Sequence, residues 1–225
     1  MKLKVLWGYN VTKLVPYNRN FLKKVIDIKE NKNIKIPKRY LLKIELNRNN
    51  GSEDEEIVIM MNPSKADKNL SDDTVNRIIK EIYIQRKKVK YITILNLFVV
   101  FERDSTKLKD YIKKCGYEFT VGISNSDLYN NDDVIEKSCE HATEIIVAWG
   151  DGKEKWYRKR ENEILLILKK TNAKVLCCND LNKLGYPRHP SRLPNEIKFV
   201  SYSTALKEWV NRMLEERAGF YYKKE

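Results

Sequence analysis

Short apolar runs alternate with longer amphipathic segments along most of the chain. Apolar runs rich in β-branched and aromatic residues are typical of buried strands. We predict strands at 40–46, 56–61, 91–97, 145–149, 174–178 and 198–202. Helices are predicted after Ser71 or Asp72, near 106–115, from Asp132 or Asp133, over 153–170 and from Ser203. This alternation predicts an α/β fold, a three-layer sandwich whose central sheet is mainly parallel and flanked by helices.

The N-terminal part breaks this alternation. Residues 1–38 are predicted to form a basic, partly helical arm, because Phe21, Leu22, Val25, Ile26 and Ile28 make an apolar stripe and Pro37 ends the segment. The first two strands are joined by a polar turn that contains Asn50-Gly51, so we expect an antiparallel hairpin there. The predicted organisation is an arm at 1–38 and one domain at 39–225.

The distribution of charge along the chain indicates a binding partner. The net charge of the 225 residues is +13, and residues 1–50 carry thirteen Lys or Arg against three acids. A basic segment on a nearly balanced body is the pattern expected for binding a polyanion such as DNA. The alternative is that an AT-rich genome accounts for the many lysines, but this would not concentrate them in one segment.

Several protein classes are excluded by composition. No apolar run approaches the roughly 20 residues of a membrane helix, and the start of the chain has no signal-peptide core. Cys115, Cys139, Cys177 and Cys178 show no paired spacing, and Cys177 and Cys178 should face opposite sides of one strand. We therefore expect a cytosolic monomer with reduced thiols, without a metal site or a cofactor and without a membrane partner.

Three polar loops follow apolar runs, at 61–67, 148–151 and 186–193. Loops at the carboxyl ends of neighbouring parallel strands converge on one crevice, where ligands bind. In the first loop Pro63 restricts Asn62, whose amide could orient a water or a sugar hydroxyl, or could belong to an ordinary turn. Asp67 is a candidate general base or a local cap.

Two further positions carry candidate chemistry. Asn96 ends a strand, where an amide can read the donor and acceptor edge of a planar ligand, and Phe98 offers a stacking face; otherwise both belong to the core and its loops. His189 lies between Pro187 and Pro190, and an imidazole so constrained suits proton donation or a hydrogen bond to developing negative charge.

Four motifs can now be read together. They are Asn-Pro-Ser-x-Ala-Asp at 62–67, Asn-Leu-Phe at 96–98, Ala-Trp-Gly at 148–150 and Pro-x-His-Pro at 187–190. With them the chain resembles the domain-of-unknown-function 1643 family over roughly residues 40–195. Their order is also similar, more distantly, to that of the uracil-DNA glycosylase superfamily, and this implies a uracil-DNA-glycosylase-like fold.

The second resemblance implies roles for individual residues. Asn62 would hold the attacking water and His189 would stabilise the departing base, with Asp67 as a further catalytic candidate. Asn96, Phe98 and Trp149 would bind the base, and Leu193 would fill the gap that a flipped base leaves. The residues expected to contact DNA are Ser64, Lys65, Arg188, Ser191, Arg192, Leu193, Arg19, Lys23 and Lys24. No carboxylate stands at position 62, which implies a slower or more selective enzyme.

The sequence thus predicts a DNA glycosylase that removes an unusual or modified base and leaves an abasic site, in repair or in defence against phages. Two alternatives remain open. One is an enzyme that processes free nucleotides or nucleosides, and the other is a non-catalytic nucleic-acid-binding module in which the crevice stacks a base.

Overall fold

A computed structural model describes residues 14–32, 34–49, 51–64, 66–102, 104–194 and 196–222. Within these ranges the chain is an α/β protein with nine strands and six α-helices. The strands are β1 (Val15–Pro16), β2 (Leu22–Asn31), β3 (Lys38–Leu46), β4 (Glu55–Met60), β5 (Leu70–Ser71), β6 (Tyr91–Asn96), β7 (Glu144–Val147), β8 (Lys174–Cys178) and β9 (Phe199–Ser201). The helices are α1 (Asp73–Gln85), α2 (Leu108–Cys115), α3 (Tyr117–Val121), α4 (Asn131–Cys139), α5 (Lys155–Lys169) and α6 (Tyr202–Tyr222).

Seven strands form one sheet in the order β2-β3-β6-β4-β7-β8-β9. The central strands β6, β4, β7 and β8 are parallel neighbours, whereas the pairs β2–β3, β3–β6 and β8–β9 are antiparallel. The sheet is therefore mixed, and the prediction of a mainly parallel sheet was wrong. The pattern of apolar residues predicts that a strand is buried, but not the direction in which it runs beside its neighbours.

The predicted hairpin between the first two strands of the domain was also wrong. β3 pairs with β2 and β6, while β4 lies on the far side of β6 and pairs with β6 and β7. Both strands are buried on both faces, as central strands are, and a two-stranded hairpin would have left them exposed. The antiparallel hairpin is instead formed by β2 and β3.

The apolar stripe that predicted a helix in the arm belongs to β2. The pairing of β2 with β3 shows three irregularities of the β-bulge type, between Leu22 and Lys24, Val25 and Asp27, and Lys29 and Glu30. A bulge inserts one extra residue, so the buried side recurs at 22, 25 and 28 instead of every second residue. This spacing imitates a helical period. Residues 1–13 of the predicted arm lie outside the described residues.

Helices cover both faces of the sheet. On one face, α1 packs against an apolar cluster that includes Leu42, Val58 and Ile94. On the other face, α4, α5 and the start of α6 pack against a cluster that includes Ile59, Leu95 and Val147. Cys177 and Cys178 belong to opposite clusters, as the alternation of a strand requires. Among the described helices, none combines the length and the apolar character that crossing a membrane demands.

The order of the parallel strands creates a switch point at one end of the sheet. From β4 the chain crosses to β6 on one side, and it then returns past β4 to β7 on the other side. The order of strands therefore reverses between β4 and β7, and the carboxyl ends of strands at such a switch point border the usual ligand site of an open α/β sheet. We call this end of the sheet the carboxyl edge.

A buried carboxyl group lies at the opposite end of β4. Burial is the main reason why the pKa of Glu56 is raised to about 7. The positive charge of Arg86 lowers this pKa, and the negative charge of Glu144 raises it. Because the unfolded chain loses this proton first, the free energy of unfolding should fall by about 3 kcal/mol as the pH rises from about 4.5 to about 7.

We expect Glu56→Gln to remove most of this pH dependence, because the glutamine side chain does not ionise. Urea unfolding at about pH 5 and about pH 8 measures it, with the exposed Glu208→Gln as the control for loss of one charge. An equal pH dependence in Glu56→Gln and in the unmodified protein would contradict the expectation.

Candidate functional site

Backbone hydrogen bonds tie together the loops at the carboxyl edge. The amides of Leu97 and Phe98 donate to the carbonyl oxygens of Met60 and Met61, each at 2.9 Å. On the other side of β4, the amide of Ala148 donates to the carbonyl oxygen of Ile59 at 2.8 Å. The loops that follow β4, β6 and β7 are therefore held in register by the sheet itself.

Asn62 is half-buried two residues after β4. Its Nδ2 donates to the backbone carbonyl oxygen of Glu102, and the buried Pro63 follows it. This hydrogen bond orients the amide through its nitrogen, and its oxygen Oδ1 is an acceptor suited to a water or a hydroxyl.

Gly150 brings two of the predicted loops into contact. A methyl group placed on its Cα would lie 3.0 Å from Cβ of His189 and 3.8 Å from Cε of Met61. The φ of Gly150 is +80°, a conformation that favours glycine. The hydroxyl of Tyr157 donates to the carbonyl oxygen of Gly150 at 2.9 Å and fixes the turn from behind. The loop after β4 and the loop after β8 thus meet across this residue.

His189 is held as a neutral hydrogen-bond donor. The Ser191 amide donates to its Nδ1 at 3.3 Å, and the Ser191 hydroxyl lies 2.7 Å from the same atom. Because Nδ1 accepts, Nε2 carries the proton of the neutral ring. Burial and the positive charge of Arg192 lower the pKa of His189 to about 4, and the negative charge of Asp72 partly opposes them. The imidazole is therefore uncharged at neutral pH.

Arg77 on α1 holds the His189 loop in place. Its Nη1 donates to the carbonyl oxygens of Pro190 at 2.8 Å and Leu193 at 3.0 Å, and its Nη2 donates to that of Pro194. α1 follows the Asn62 loop after the two-residue strand β5, so this guanidinium connects the His189 loop to the helix that the Asn62 loop leads into. Sequence reasoning missed Arg77, because an arginine on an amphipathic helix gives no signal of its carbonyl partners.

The three predicted base-binding residues are buried. Asn96 is 1% exposed, and Phe98 and Trp149 are fully buried. Phe98 packs edge-on against Trp156, and Trp149 donates from Nε1 to Glu161 at 3.1 Å. These side chains belong to the core in this structure, and an open stacking face is not formed by them. The Nδ2 of Asn96 is nevertheless buried without a hydrogen-bond partner among the described residues.

Asp67 was predicted to be either a general base or a local cap, and its hydrogen bonds are those of a local cap. Its Oδ1 accepts from the amides of Asn69 at 2.8 Å and Leu70 at 2.9 Å. Burial alone would raise its pKa, but these two hydrogen bonds, with nearby positive charge, lower it. A carboxylate with a lowered pKa and two donors is a weak base. Ser64 accepts from the amide of Ala66 at 3.2 Å, and Lys65 lies outside the described residues.

The predicted DNA contacts of the last loop are mostly engaged within the protein. Arg188 pairs with Asp180 at 3.0 Å, and Arg192 pairs with Asp151 at 2.7 Å while its side chain is 67% exposed. Leu193 is 9% exposed and packs in the same apolar cluster as α1. This placement differs from the predicted wedge, because a side chain already buried in the core does not project toward a duplex.

The three basic arm residues that were predicted to contact DNA lie far from the carboxyl edge. Lys23 and Lys24 pair with Glu45 at 2.8 Å and 3.6 Å, and Arg19 donates to the Lys23 carbonyl oxygen. Glu45 stands opposite Tyr91 at the start of β6, five residues before its carboxyl end. At roughly 3.4 Å per residue, these cations lie about 17 Å along the sheet from the carboxyl edge.

The comparisons with known proteins give one match. Residues 39–191 match the family described as Protein of unknown function (DUF1643), which is more than half of the chain. The chain belongs to the DUF1643 family. No curated protein and no solved structure matches it. The match runs from β3 to Ser191, so it includes all four motifs of the DUF1643 region and leaves α6 outside.

The donor groups of the DUF1643 crevice are an amide, an imidazole and a hydroxyl, which orient water and donate hydrogen bonds. In the part of the chain that the structure describes, no three His, Cys, Asp or Glu side chains are grouped so as to hold a metal ion. All four cysteines are free thiols.

Gly150→Ala is expected to lower the free energy of unfolding of the DUF1643 protein by about 1–3 kcal/mol, because the φ of this residue suits glycine. The new methyl group would also push on Cβ of His189 and displace its side chain. Gly116→Ala is the matched control, with a φ of +89° and nothing within 4 Å. Chemical unfolding should show a loss of stability in both variants, whereas only Gly150→Ala should shift the imidazole signals of His189 in an NMR spectrum. Unshifted His189 signals in Gly150→Ala would contradict this.

Proposed function

We propose that this DUF1643 protein hydrolyses the N-glycosidic bond of an unusual or modified base in DNA and leaves an abasic site, in repair or in defence. One observation carries the proposal: the loops of Asn62 and His189 meet across Gly150, at the switch point of the parallel core. A water-orienting amide and a neutral hydrogen-bond donor are then available at one edge of the sheet.

The chemistry needs these two groups on opposite sides of the bond. Breaking an N-glycosidic bond builds positive charge on the sugar and negative charge on the departing base. In the proposed reaction, Oδ1 of Asn62 accepts from the water that attacks the anomeric carbon. Nε2–H of His189 donates to the base as it leaves, and a preorganised donor of this kind is commonly the largest catalytic contribution.

Two features assign most of the catalysis to His189. Position 62 carries an amide in place of a carboxylate, and Asp67 accepts two backbone hydrogen bonds that lower its pKa. Neither group is a strong base, so the water is oriented and not deprotonated before attack. The bond to the base must then be largely broken before the water adds, which makes stabilisation of the departing base decisive.

A second candidate keeps the reaction and changes the substrate to a free nucleoside or nucleotide. The observation that favours it is the distance between two paired cations of the arm and the carboxyl edge. Lys23 and Lys24 are paired with Glu45 and lie near the amino ends of the parallel strands. A small substrate at the carboxyl edge would need no cations at that distance.

Base release from defined substrates tests both candidates. Duplexes with assorted modified bases are incubated with the protein and heated in alkali to break the strand at abasic sites. The matching nucleosides are assayed for free base. Strand breaks support the DNA glycosylase, and release from nucleosides alone supports the second candidate.

Asn62→Ala is the diagnostic variant for the same assay, and the exposed Asn162→Ala is its control. Asn62→Ala should lower base release about 10²-fold, since the water loses its acceptor. Base release from no substrate, or release that Asn62→Ala leaves unchanged, overturns the proposal.

A further inference from the structure

The Asn62 loop is held by two side chains that come before β4 in the chain. Nη1 of Arg39 donates to the carbonyl oxygen of Ala66 at 2.6 Å, and the hydroxyl of Tyr17 donates to that of Asp67 at 2.8 Å. Both donors are buried, since Arg39 is 1% and Tyr17 is 3% exposed. Two buried donors are therefore directed at the main chain of this loop.

Arg39 also contacts the segment that orients the Asn62 amide. Its backbone amide donates to the carbonyl oxygen of Val99 at 2.9 Å, and its guanidinium lies 5.8 Å from the ring centroid of Phe101. The next residue, Glu102, provides the carbonyl oxygen to which Nδ2 of Asn62 donates. One side chain thus contacts both the loop that carries Asn62 and the segment that holds its amide.

The core by itself gives no reason for a cation at position 39. Burial lowers the pKa of Arg39, and the nearby groups Tyr17, Asp72 and Glu30 oppose this effect. A buried charge is costly, and an apolar side chain of similar volume often fills such a space at no loss of stability. The hydrogen bond to the loop is what an apolar side chain would not supply.

Tyr17 belongs to the arm and precedes the residues that match the DUF1643 family. Further contacts attach this part of the arm to the loop. β1 pairs with β5, and Nδ2 of Asn76 on α1 donates to the carbonyl oxygen of Pro16 at 3.0 Å. Because β5 joins the Asn62 loop to α1, the start of the described arm supports the loop directly.

We propose that Tyr17 and Arg39 are positioning residues for Asn62, which fix its loop through two carbonyl oxygens and so keep Oδ1 in one orientation. The catalytic consequence rests on the proposed function, whereas the position of Asn62 is measurable without it. Neither side chain needs to touch the substrate, because both are buried. The arm then has a role at the carboxyl edge that does not depend on its cations.

NMR of the Asn62 side-chain amide in the full-length protein tests the position, with the signals assigned through Asn62→Ala. Tyr17→Phe removes one hydroxyl, and Arg39→Met removes the guanidinium. Each should shift the Nδ2–H signals and make them exchange with water about tenfold faster, because the hydrogen bond to Glu102 loosens. Arg39→Lys keeps a donor and should restore part of the protection. If Arg39→Met does not fold, Tyr17→Phe and Arg39→Lys decide the question.

Two matched controls lie at the opposite end of the sheet, where β3 ends beside the start of β6. The hydroxyl of Tyr83 donates to the carbonyl oxygen of Asn47 at 3.2 Å, and Nη1 of Arg48 donates to that of Val89 at 3.0 Å. Tyr83→Phe and Arg48→Met remove the same kinds of hydrogen bond. They should leave the Asn62 signals unchanged, whatever they cost in stability.

Base release adds a second readout. With a substrate that the protein cleaves, Tyr17→Phe should lower kcat about tenfold and Arg39→Met about 10²-fold, with KM changed less than about twofold, as misplacement of a reacting group predicts. Unchanged Asn62 signals in the folded variants would overturn this proposal and leave the proposed function intact. Shifted signals in a protein that releases base from no substrate would support the positioning of Asn62, while the proposed function would fall.

Discussion

His189→Ala is expected to lower the rate of base release about 10²- to 10³-fold, the usual cost of removing one preorganised donor to developing negative charge. The Ser191 amide donates to Nδ1, so the neutral ring carries its proton on Nε2, which in the proposed reaction donates to the departing base. Alanine keeps the loop, because Arg77 holds it through backbone carbonyl oxygens. Single-turnover assays of base release measure the effect.

The same arrangement predicts the pH dependence of the reaction. The pKa of His189 is lowered to about 4, so its ring stays neutral and remains a donor from about pH 5 to about pH 8. The rate should show no titration of this residue in that window. It should change only toward about pH 4, where a proton on Nδ1 breaks the hydrogen bond from Ser191.

Two controls keep this prediction sharp. His189→Gln retains a side-chain donor and should recover part of the rate, while thermal unfolding of His189→Ala should show that the fold persists. A bell-shaped profile with an apparent pKa near 6.5 that disappears in His189→Ala would mean that a charged imidazole acts, and the assignment of a neutral donor would then be wrong.

Arg77→Met is expected to have the second largest effect, although Arg77 need not touch the substrate. The change removes the hydrogen bonds to Pro190, Leu193 and Pro194 and frees the His189 loop from α1. We expect about 2 kcal/mol less stability, because the carbonyl oxygens lose a charged donor. Activity should fall about 10²-fold, the common result of misplacing a catalytic group by about 1 Å.

The pKa of the His189 imidazole distinguishes a loss of positioning from a general loss of stability. Once the loop is released, His189 gains contact with water, and its pKa should rise from about 4 toward 6.5, as measured by NMR titration. Lys80→Met on the exposed side of α1 is the matched control for loss of one cation. A folded Arg77→Met protein with full activity and an unshifted His189 would contradict a positioning role.

Local sequence patterns predicted the central elements well. The observed β4, β6, β7 and β8 begin and end within two residues of the apolar runs that indicated them. The sequence predicted that Ser71 or Asp72 caps α1. The cap is Asp72, whose side chain accepts from the amides of Thr74 and Val75. These features depend on neighbours a few residues apart, and such neighbours are visible in the sequence.

The pairing of strands within the sheet was predicted poorly. The bulges of β2 gave it the spacing of a helix, and the Asn50-Gly51 turn suggested a hairpin that β6 in fact separates. Both errors have one cause: strand pairing is decided between segments that are distant along the chain.

The chain by itself determined the order of the central strands β4, β6, β7 and β8, the family to which it belongs, and the loops that carry Asn62 and His189. Those properties are encoded in short stretches of residues. Only the tertiary structure decided that Gly150 brings the two loops into contact, that Arg77 holds one of them, and that Phe98 and Trp149 belong to the core. The reason is that burial and hydrogen-bond partners depend on which surfaces the folded chain brings together, and side chains of the same type are exposed in one packing and buried in another.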